Sequence, residues 1–468
     1  MIRARRGIGG GTTRTAWGED VSDDPKRRET PVPAGRFARL ARLGAMTAGV
    51  AGDMALSGAR SFGRGERPRM RDLLLTPRNV GRIADDLAKM RGAAMKVGQL
   101  LSMDAGDALP PELAEIMGRL RSDAEAMPGP QLKAALDRNW GPDWRKRFER
   151  FDVRPIAAAS IGQVHRAVLK DGRELAIKVQ YPGVARSIDS DVANLGALLR
   201  MAGLVPKGLD LAPYLEEARR QLHEEADYER EGARLVEYRR LIEDEPGFVA
   251  PELVEDLTTK EILAMTYLPG APIERSEDAD QATRDRIASR LIDLSLRELF
   301  EFRLMQTDSN FANFRYDAER DRIVLLDFGA TRALDPQFVE DCRALLSAGL
   351  AEDRAGTRAA CERLDILHEA TAPAHRERIF AMVETAFEAL RRDEVFDFAA
   401  SDLSRRLQAE GEALALEEPT PPPVPMDALY VQRKLGGMFL LATRLRARAP
   451  VRAMLARWVE GTAAQAAE

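Results

Sequence analysis

The chain has 468 residues, enough for two or three domains of ordinary size. It is 45% hydrophobic and 31% charged with a net charge of −5, a soluble globular balance that gives no electrostatic case for a nucleic-acid partner. Cys342 and Cys361 read as reduced, packed thiols of a cytosolic-type compartment, and the scattered His165, His223, His368 and His375 form no zinc signature. No run reaches the ~18–20 apolar residues of a membrane-spanning helix. The N-terminus has no continuous apolar core of signal-peptide type.

Residues 1–35, rich in Gly, Arg, Thr and Pro, read as a disordered basic arm. From Arg36 to Val50, arginines recur at spacings of three and small apolar residues follow. That segment suits either a helix lying on an anionic membrane surface or a solvated helix packed on the domain. Residues 1–74 form this first region, and a helical extension is expected over 75–150. Within it Leu87, Met90, Ala94, Val97 and Leu101 make a helical apolar stripe. Lys96 and Gln99 are three apart and share a face. Gly98 between them costs about 1 kcal/mol against Ala, which is tolerable where something approaches the backbone closely. Prolines at 110–111 and 128–130 punctuate two further helices ending near Trp140.

The texture then changes to a small lobe, 151–268. A strand is expected around Val164–Leu169, a turn at Asp171-Gly172 and a return strand over Glu174–Val179. Against the kinase glycine-rich loop G-x-G-x-x-G-x-V, the register gives Ala157, Ala159, Gly162 and Val164. Two glycines have become alanines. Because Ala159 reaches positive φ only at a cost of roughly 1–2 kcal/mol, a stiffer turn opening a helix at Ser160 is expected. Ala157, Ala158, Ala159, Ser160, Ile161, Gly162, Val164 and Lys178 are the candidate nucleotide-binding residues. Lys178, in Ala176-Ile177-Lys178, stands where a kinase lysine reaches the α/β-phosphates. Residues 213–242 read as one long charged helix carrying Glu225, Asp227 and Glu231. Glu225 and Glu231 point to different sides of it, so it can offer acids to two partners, one of them Lys178.

Glu261–Tyr267 reads as the last small-lobe strand and Leu268-Pro269-Gly270 as a hinge whose backbone meets adenine. A helical large lobe is expected over 269–417. Helices are expected from Gln281 to Phe302. Next come Gln306-Thr307-Asp308 to Asn313 and an apolar strand ending in Asp327-Phe328-Gly329-Ala330. Phosphoryl transfer needs a carboxylate beside the attacking oxygen and oxygen ligands for magnesium on the phosphates. Asp308 suits the first role, Asn313 and Asp327 the second. The chain then reads as helical to about Ala415. A Pro-rich linker and a basic terminal helix over about 427–460 complete residues 418–468.

These motifs together resemble the UbiB-type atypical kinases, closest to the branch with the mitochondrial members. They are Lys96-Val97-Gly98-Gln99, the alanine loop 157–165, Ala176–Gly183, Glu225–Glu231, Gln306–Asn313 and Leu325–Ala330. The resemblance covers roughly residues 75–345. It implies an α+β, bilobal protein-kinase-like fold with an N-terminal helical extension and a mostly helical C-terminal lobe. It implies that the extension folds over the protein-substrate position, with Lys96, Gln99 and Asp227 regulatory and Glu225 and Asp227 facing the extension. Glu231 is then the favoured partner of Lys178 and Glu225 the alternative. ATP and Mg2+ are the expected cofactors. The expected function is a magnesium-dependent ATPase or small-molecule or lipid kinase supporting ubiquinone biosynthesis, with a quinone precursor or other lipid-linked small molecule as partner. The expected location is cytoplasmic, peripheral on the inner membrane face and in complex with quinone-biosynthetic enzymes. A nucleotide-sensing scaffold and a protein kinase are the competing readings. The missing His-Arg before Asp308 and the alanine loop disfavour the latter.

Overall fold

The computed structural model describes residues 91–105, 127–159, 161–201, 210–392, 394–415 and 424–465. The expected basic arm, the 36–62 stretch, Leu87, Met90, Ser160 and most of the Pro-rich linker lie outside these residues. Helix α1 (Arg91–Ala105) and α2 (Gly129–Trp140) precede the small lobe. Ala93, Ala94, Val97 and Leu100 bury one face of α1; of these Ala94 and Val97 belong to the apolar stripe read from the sequence, and the side chain of Leu101 lies outside the described residues.

The small-lobe sheet contains β1 (Phe148–Phe151), β2 (Ala157–Ala158), β3 (Gly162–Leu169) and β4 (Glu174–Gln180). Gly172, with φ +89°, makes the turn from β3 to β4. Next come α3 (Val184–Met201), α4 (Ala212–Glu225) and α5 (Tyr228–Leu241), then β5 (Phe248–Val249) and β6 (Ile262–Thr266). The sheet order is β1-β3-β4-β6, with β2 added on β3, and every pairing is antiparallel. Leu175, Ile177 and Val179 of β4 point into an aromatic-rich outer core with Trp144 and Phe148. The alternate residues Ala176 and Lys178 face inward, so the period of two delivers the lysine to the cleft.

The expected single helix over 213–242 is in fact two. Asp227 interrupts it: its carboxylate accepts from the Arg230 N–H at 3.1 Å as N-cap of α5. Gln180, at the end of β4, donates to the Ala226 carbonyl at 2.7 Å and to the Lys260 carbonyl at 2.9 Å. The break is therefore tied to the sheet. No helix opens after the alanine loop either. Ala157 and Ala158 pair with Val164 and Gln163, and the Ala159 N–H donates to the Gly162 carbonyl at 2.9 Å. The loop is a tight hairpin, and none of its three alanines has positive φ. Extended backbone suits alanine, so the steric argument for a different turn does not apply.

The large lobe begins with β7 (Ala271–Pro272) and α6 (Gln281–Arg297), which runs into a π turn at Glu298–Phe302. Strands β8 (Leu304–Gln306), β9 (Phe314–Asp317), β10 (Arg322–Leu325) and β11 (Thr331–Ala333) bracket the two motif loops. Pairing of β8 with β11 and of β9 with β10 brings the Asp308 and Asp327 loops side by side. Helices α7 (Pro336–Leu350), α8 (Arg354–Arg363), α9 (Pro373–Arg392) and α10 (Leu403–Ala415) follow, with β12 (Phe396–Asp397) before α10. The expected terminal helix is also two, α11 (Met426–Arg444) and α12 (Val451–Gln465), separated by β13 (Arg448–Ala449) on β12. Arg446, at φ +51°, turns the chain between them. Leu429, Tyr430, Met438, Leu441 and Ala442 are buried on α11, and all but Leu429 join the main hydrophobic core. Among the described residues no helix is long and apolar enough to cross a membrane.

Candidate active site

A cavity of about 1090 Å³ lies between the lobes. Lys96, Gln99, Ala157, Ala158, Ala159, Ile161, Val164, Lys178, Glu225, Glu231, Asp308, Asn313 and Asp327 all line it. Of the other expected site residues, Gly162 is buried at the start of β3 and Asp227 is spent on the helix cap.

Lys178 sets the electrostatics. Its Nζ lies 2.5 Å from Glu231 Oε1 and 3.4 Å from Asp327 Oδ2, and its side chain is 9% exposed. Burial alone would lower the lysine pKa, but Asp327 and Glu231 more than reverse this and hold it charged. Of the two acids left open for Lys178, Glu231 takes it, while Glu225 pairs with Lys96 on α1. The two acids lie on different helices, on either side of the Asp227 cap. That break lets α4 hold α1 while α5 holds the β4 lysine.

Burial works to raise Asp327, but the Lys178 ammonium and the Gly329 N–H, 2.9 Å from Oδ1, outweigh it and keep its pKa depressed. Asn313 spends its side-chain N–H on Asp308 Oδ2 at 3.0 Å. Its amide oxygen and the Asp327 carboxylate form a hard, oxygen-only donor pair. Magnesium is usually held by one or two protein oxygens and completed by phosphates and water. The donor chemistry fits that ion. Among the described residues no group of three or more His, Cys, Asp or Glu makes a self-sufficient metal cage. When bound, magnesium would neutralise phosphate charge. Lys178 would hold the phosphates, and Asp308 would orient the attacking O–H and accept its proton.

Helix α11 supplies what the sequence reading missed. Arg433 Nη2 donates to Asp308 Oδ1 at 2.8 Å, so both oxygens of that carboxylate are held. The next residue, Lys434, is 1% exposed, and its Nζ reaches the Gln306 carbonyl at 3.0 Å and Glu298 Oε2 at 2.9 Å. Glu298 in turn accepts from the Tyr238 hydroxyl at 2.7 Å and the Gln306 N–H at 3.1 Å. A Cβ on Gly437 would sit 2.4 Å from the Ser309 side chain, so only glycine lets α11 approach the catalytic loop this closely. The available signal was faint: two cations inside the apolar stripe Leu429, Tyr430, Val431, Met438. Arg230 on α5 also binds the DFG segment, donating to the Gly329 carbonyl at 3.1 Å and the Thr331 carbonyl at 3.3 Å.

Comparisons with known proteins identify the family and the fold. A family profile described as "ABC1 atypical kinase-like domain" matches residues 119–360. The mitochondrial atypical kinase COQ8B of Danio rerio is 38% identical over 434 residues, spanning 92% of this chain and 69% of that protein. The mitochondrial atypical kinase COQ8 of Saccharomyces cerevisiae is 37% identical over 422 residues, spanning 90% of this chain and 84% of that protein. Among solved structures, Rv3197 of Mycobacterium tuberculosis, in complex with erythromycin, superposes with a TM-score of 0.57. At 24% identity, covering 81% of this chain and 94% of that one, this likeness concerns the fold alone.

Proposed function

Because the chain belongs to the ABC1 atypical kinase-like family, the UbiB family of kinase- and ATPase-type phosphotransferases, we propose that it is a magnesium-dependent ATPase or small-molecule kinase supporting ubiquinone biosynthesis. The observation carrying this reading is the convergence of Lys178, Glu231, Asp327, Asn313 and Asp308 in one cavity. Each has the chemistry that phosphoryl transfer requires of it. Asp308 acts as base, Lys178 holds phosphates, and Asp327 with Asn313 holds the ion. The Lys96–Glu225 pair secures α1 to α4 in the wall of the cavity. This favours a small acceptor, or water, over a polypeptide. The acceptor is a quinone precursor or a related lipid-linked phenol, met at the inner membrane face.

The alternative is a nucleotide-dependent scaffold for quinone-biosynthetic enzymes that binds ATP without turning it over. Phosphate release separates the two. It should require magnesium, rise with anionic liposomes or a long-chain phenol, and vanish in Lys178→Met and Asp327→Asn. ATP binding with no phosphate release under any of these conditions would leave the scaffold reading standing and overturn the enzymatic one.

A further inference from the structure

Tyr228 is the first residue of α5, one turn before Glu231. It is 2% exposed and lines the nucleotide cavity. Among the described residues its hydroxyl has no hydrogen-bond partner. A buried hydroxyl left unmade is costly, and native proteins keep few of them without a use. Two observations fix where this one lies. A Cβ built on Gly162, the glycine retained at the end of the alanine hairpin, would lie 3.1 Å from the Tyr228 oxygen. Lys178, Glu231, Asp327 and Glu225 are the charges that bear on the phenol. The hydroxyl therefore sits beneath the phosphate loop, beside the lysine and the metal-loop acid.

We propose that Tyr228 is a nucleotide-binding residue whose hydroxyl donates a hydrogen bond to the phosphate chain. This rests on the nucleotide reading given above and names one more of its ligands. The structure supplies a reason for it. A kinase glycine loop closes its backbone N–H groups over the phosphates. Here Ala157 and Ala158 instead pair with Val164 and Gln163, which commits that stretch of backbone to the β-ladder. A side-chain donor rising from α5 under the hairpin replaces part of what the loop no longer provides. Burial and the neighbouring carboxylates raise the phenol pKa, despite the opposing pull of Lys178, so the group remains a donor throughout the working pH range.

Tyr228→Phe removes only the hydroxyl. The two consequences have opposite signs, which gives the test its power. The ligand-free variant should melt at the same temperature as the parent or higher, because an unpaired buried polar group has gone. Its ATP affinity should fall roughly tenfold or more, the cost of a lost hydrogen bond to a charged group. Adenosine should bind both forms equally. Calorimetric titrations of the full chain with ATP and adenosine, and melting curves without ligand, measure all three. Equal ATP affinity in the two forms would overturn the assignment. So would equal weakening of ATP and adenosine, which would mean that the phenol shapes the pocket rather than meeting phosphate. So would a lower ligand-free melting temperature with unchanged ATP binding. A parent chain that binds no ATP fails at the underlying nucleotide reading, an outcome distinct from these three.

Discussion

Arg433 on α11 holds Asp308, the candidate catalytic base, by a 2.8 Å hydrogen bond to Oδ1, while Asn313 holds Oδ2 at 3.0 Å. The carboxylate cannot rotate while both bonds persist. Arg433→Ala releases one oxygen. Turnover should fall about ten- to a hundredfold, the scale of a misplaced general base, with the KM for ATP changed by less than about threefold. Arg433→Lys should recover part of the rate. Steady-state phosphate release checks this. A faster Arg433→Ala enzyme would mean that the arginine restrains the base.

Lys434 and Glu298 make a buried pair beneath the same loop, with side chains 2% and 0% exposed. Removing one partner strands the other. Lys434→Met should destabilise the protein by roughly 3 kcal/mol or more. Glu298→Gln in the same chain should restore much of it, because a neutral amide leaves no uncompensated charge and can still accept from the Tyr238 hydroxyl and the Gln306 N–H. Urea unfolding of the two variants and the parent checks this.

Asp327→Asn keeps the size of the side chain and removes its charge. ATP should still raise the melting temperature, but magnesium should no longer add to that rise. Lys178 also loses one of its two acids, so the ligand-free variant should be less stable than the parent. Thermal-shift titrations with ATP, with and without magnesium, test this. An undiminished magnesium effect would remove Asp327 from the metal site.

Burial, opposed by Lys178 and reinforced by Asp327, pushes Glu231 from its usual 4.5 up to about 7. A raised carboxylate binds more protons folded than unfolded between those values. Its contribution to stability is therefore largest on the acid side and is lost as pH rises through about 7. Nucleotide binding has the opposite sign, because an ionised Glu231 is what holds Lys178 in place. On going from pH 5 to pH 8, Glu231→Gln should gain melting temperature relative to the parent. ATP affinity should rise in the parent and stay flatter in the variant. Parallel melting and binding curves across that range would show that Glu231 does not control the lysine.

Local patterns carried far in this chain. The Ala176-Ile177-Lys178 motif marked the lysine that β4 turns inward, and the Asp308-to-Asn313 and Asp327 spacings marked two loops that strand pairing sets side by side. Helix boundaries were less legible. Asp227 looks like one more acid in a charged run, and only its cap bond, together with the Gln180 tie to Ala226, shows that the helix stops there. The alanine loop misled in another way. Its composition disfavours positive φ, but this hairpin places none of the three alanines there, and composition alone does not say which backbone the loop needs. Arg433 and Lys434 were hidden by distance along the chain: no short motif links α11 to the loop at 306–313. Their roles follow from tertiary packing, where Gly437 admits Ser309.

Helix α11 also dates the assembly of the enzyme during translation. Lys178, Glu231, Asp308 and Asp327 all leave the ribosome before residue 426 is made. Until then the emerging polypeptide lacks the α11 wall of the cleft, its Asp308 has no arginine and its Glu298 has no counter-ion. The buried acid disfavours closure of the large lobe while it is unpaired. The candidate site is thus incomplete in the nascent protein until α11, made after all four of these residues, has docked.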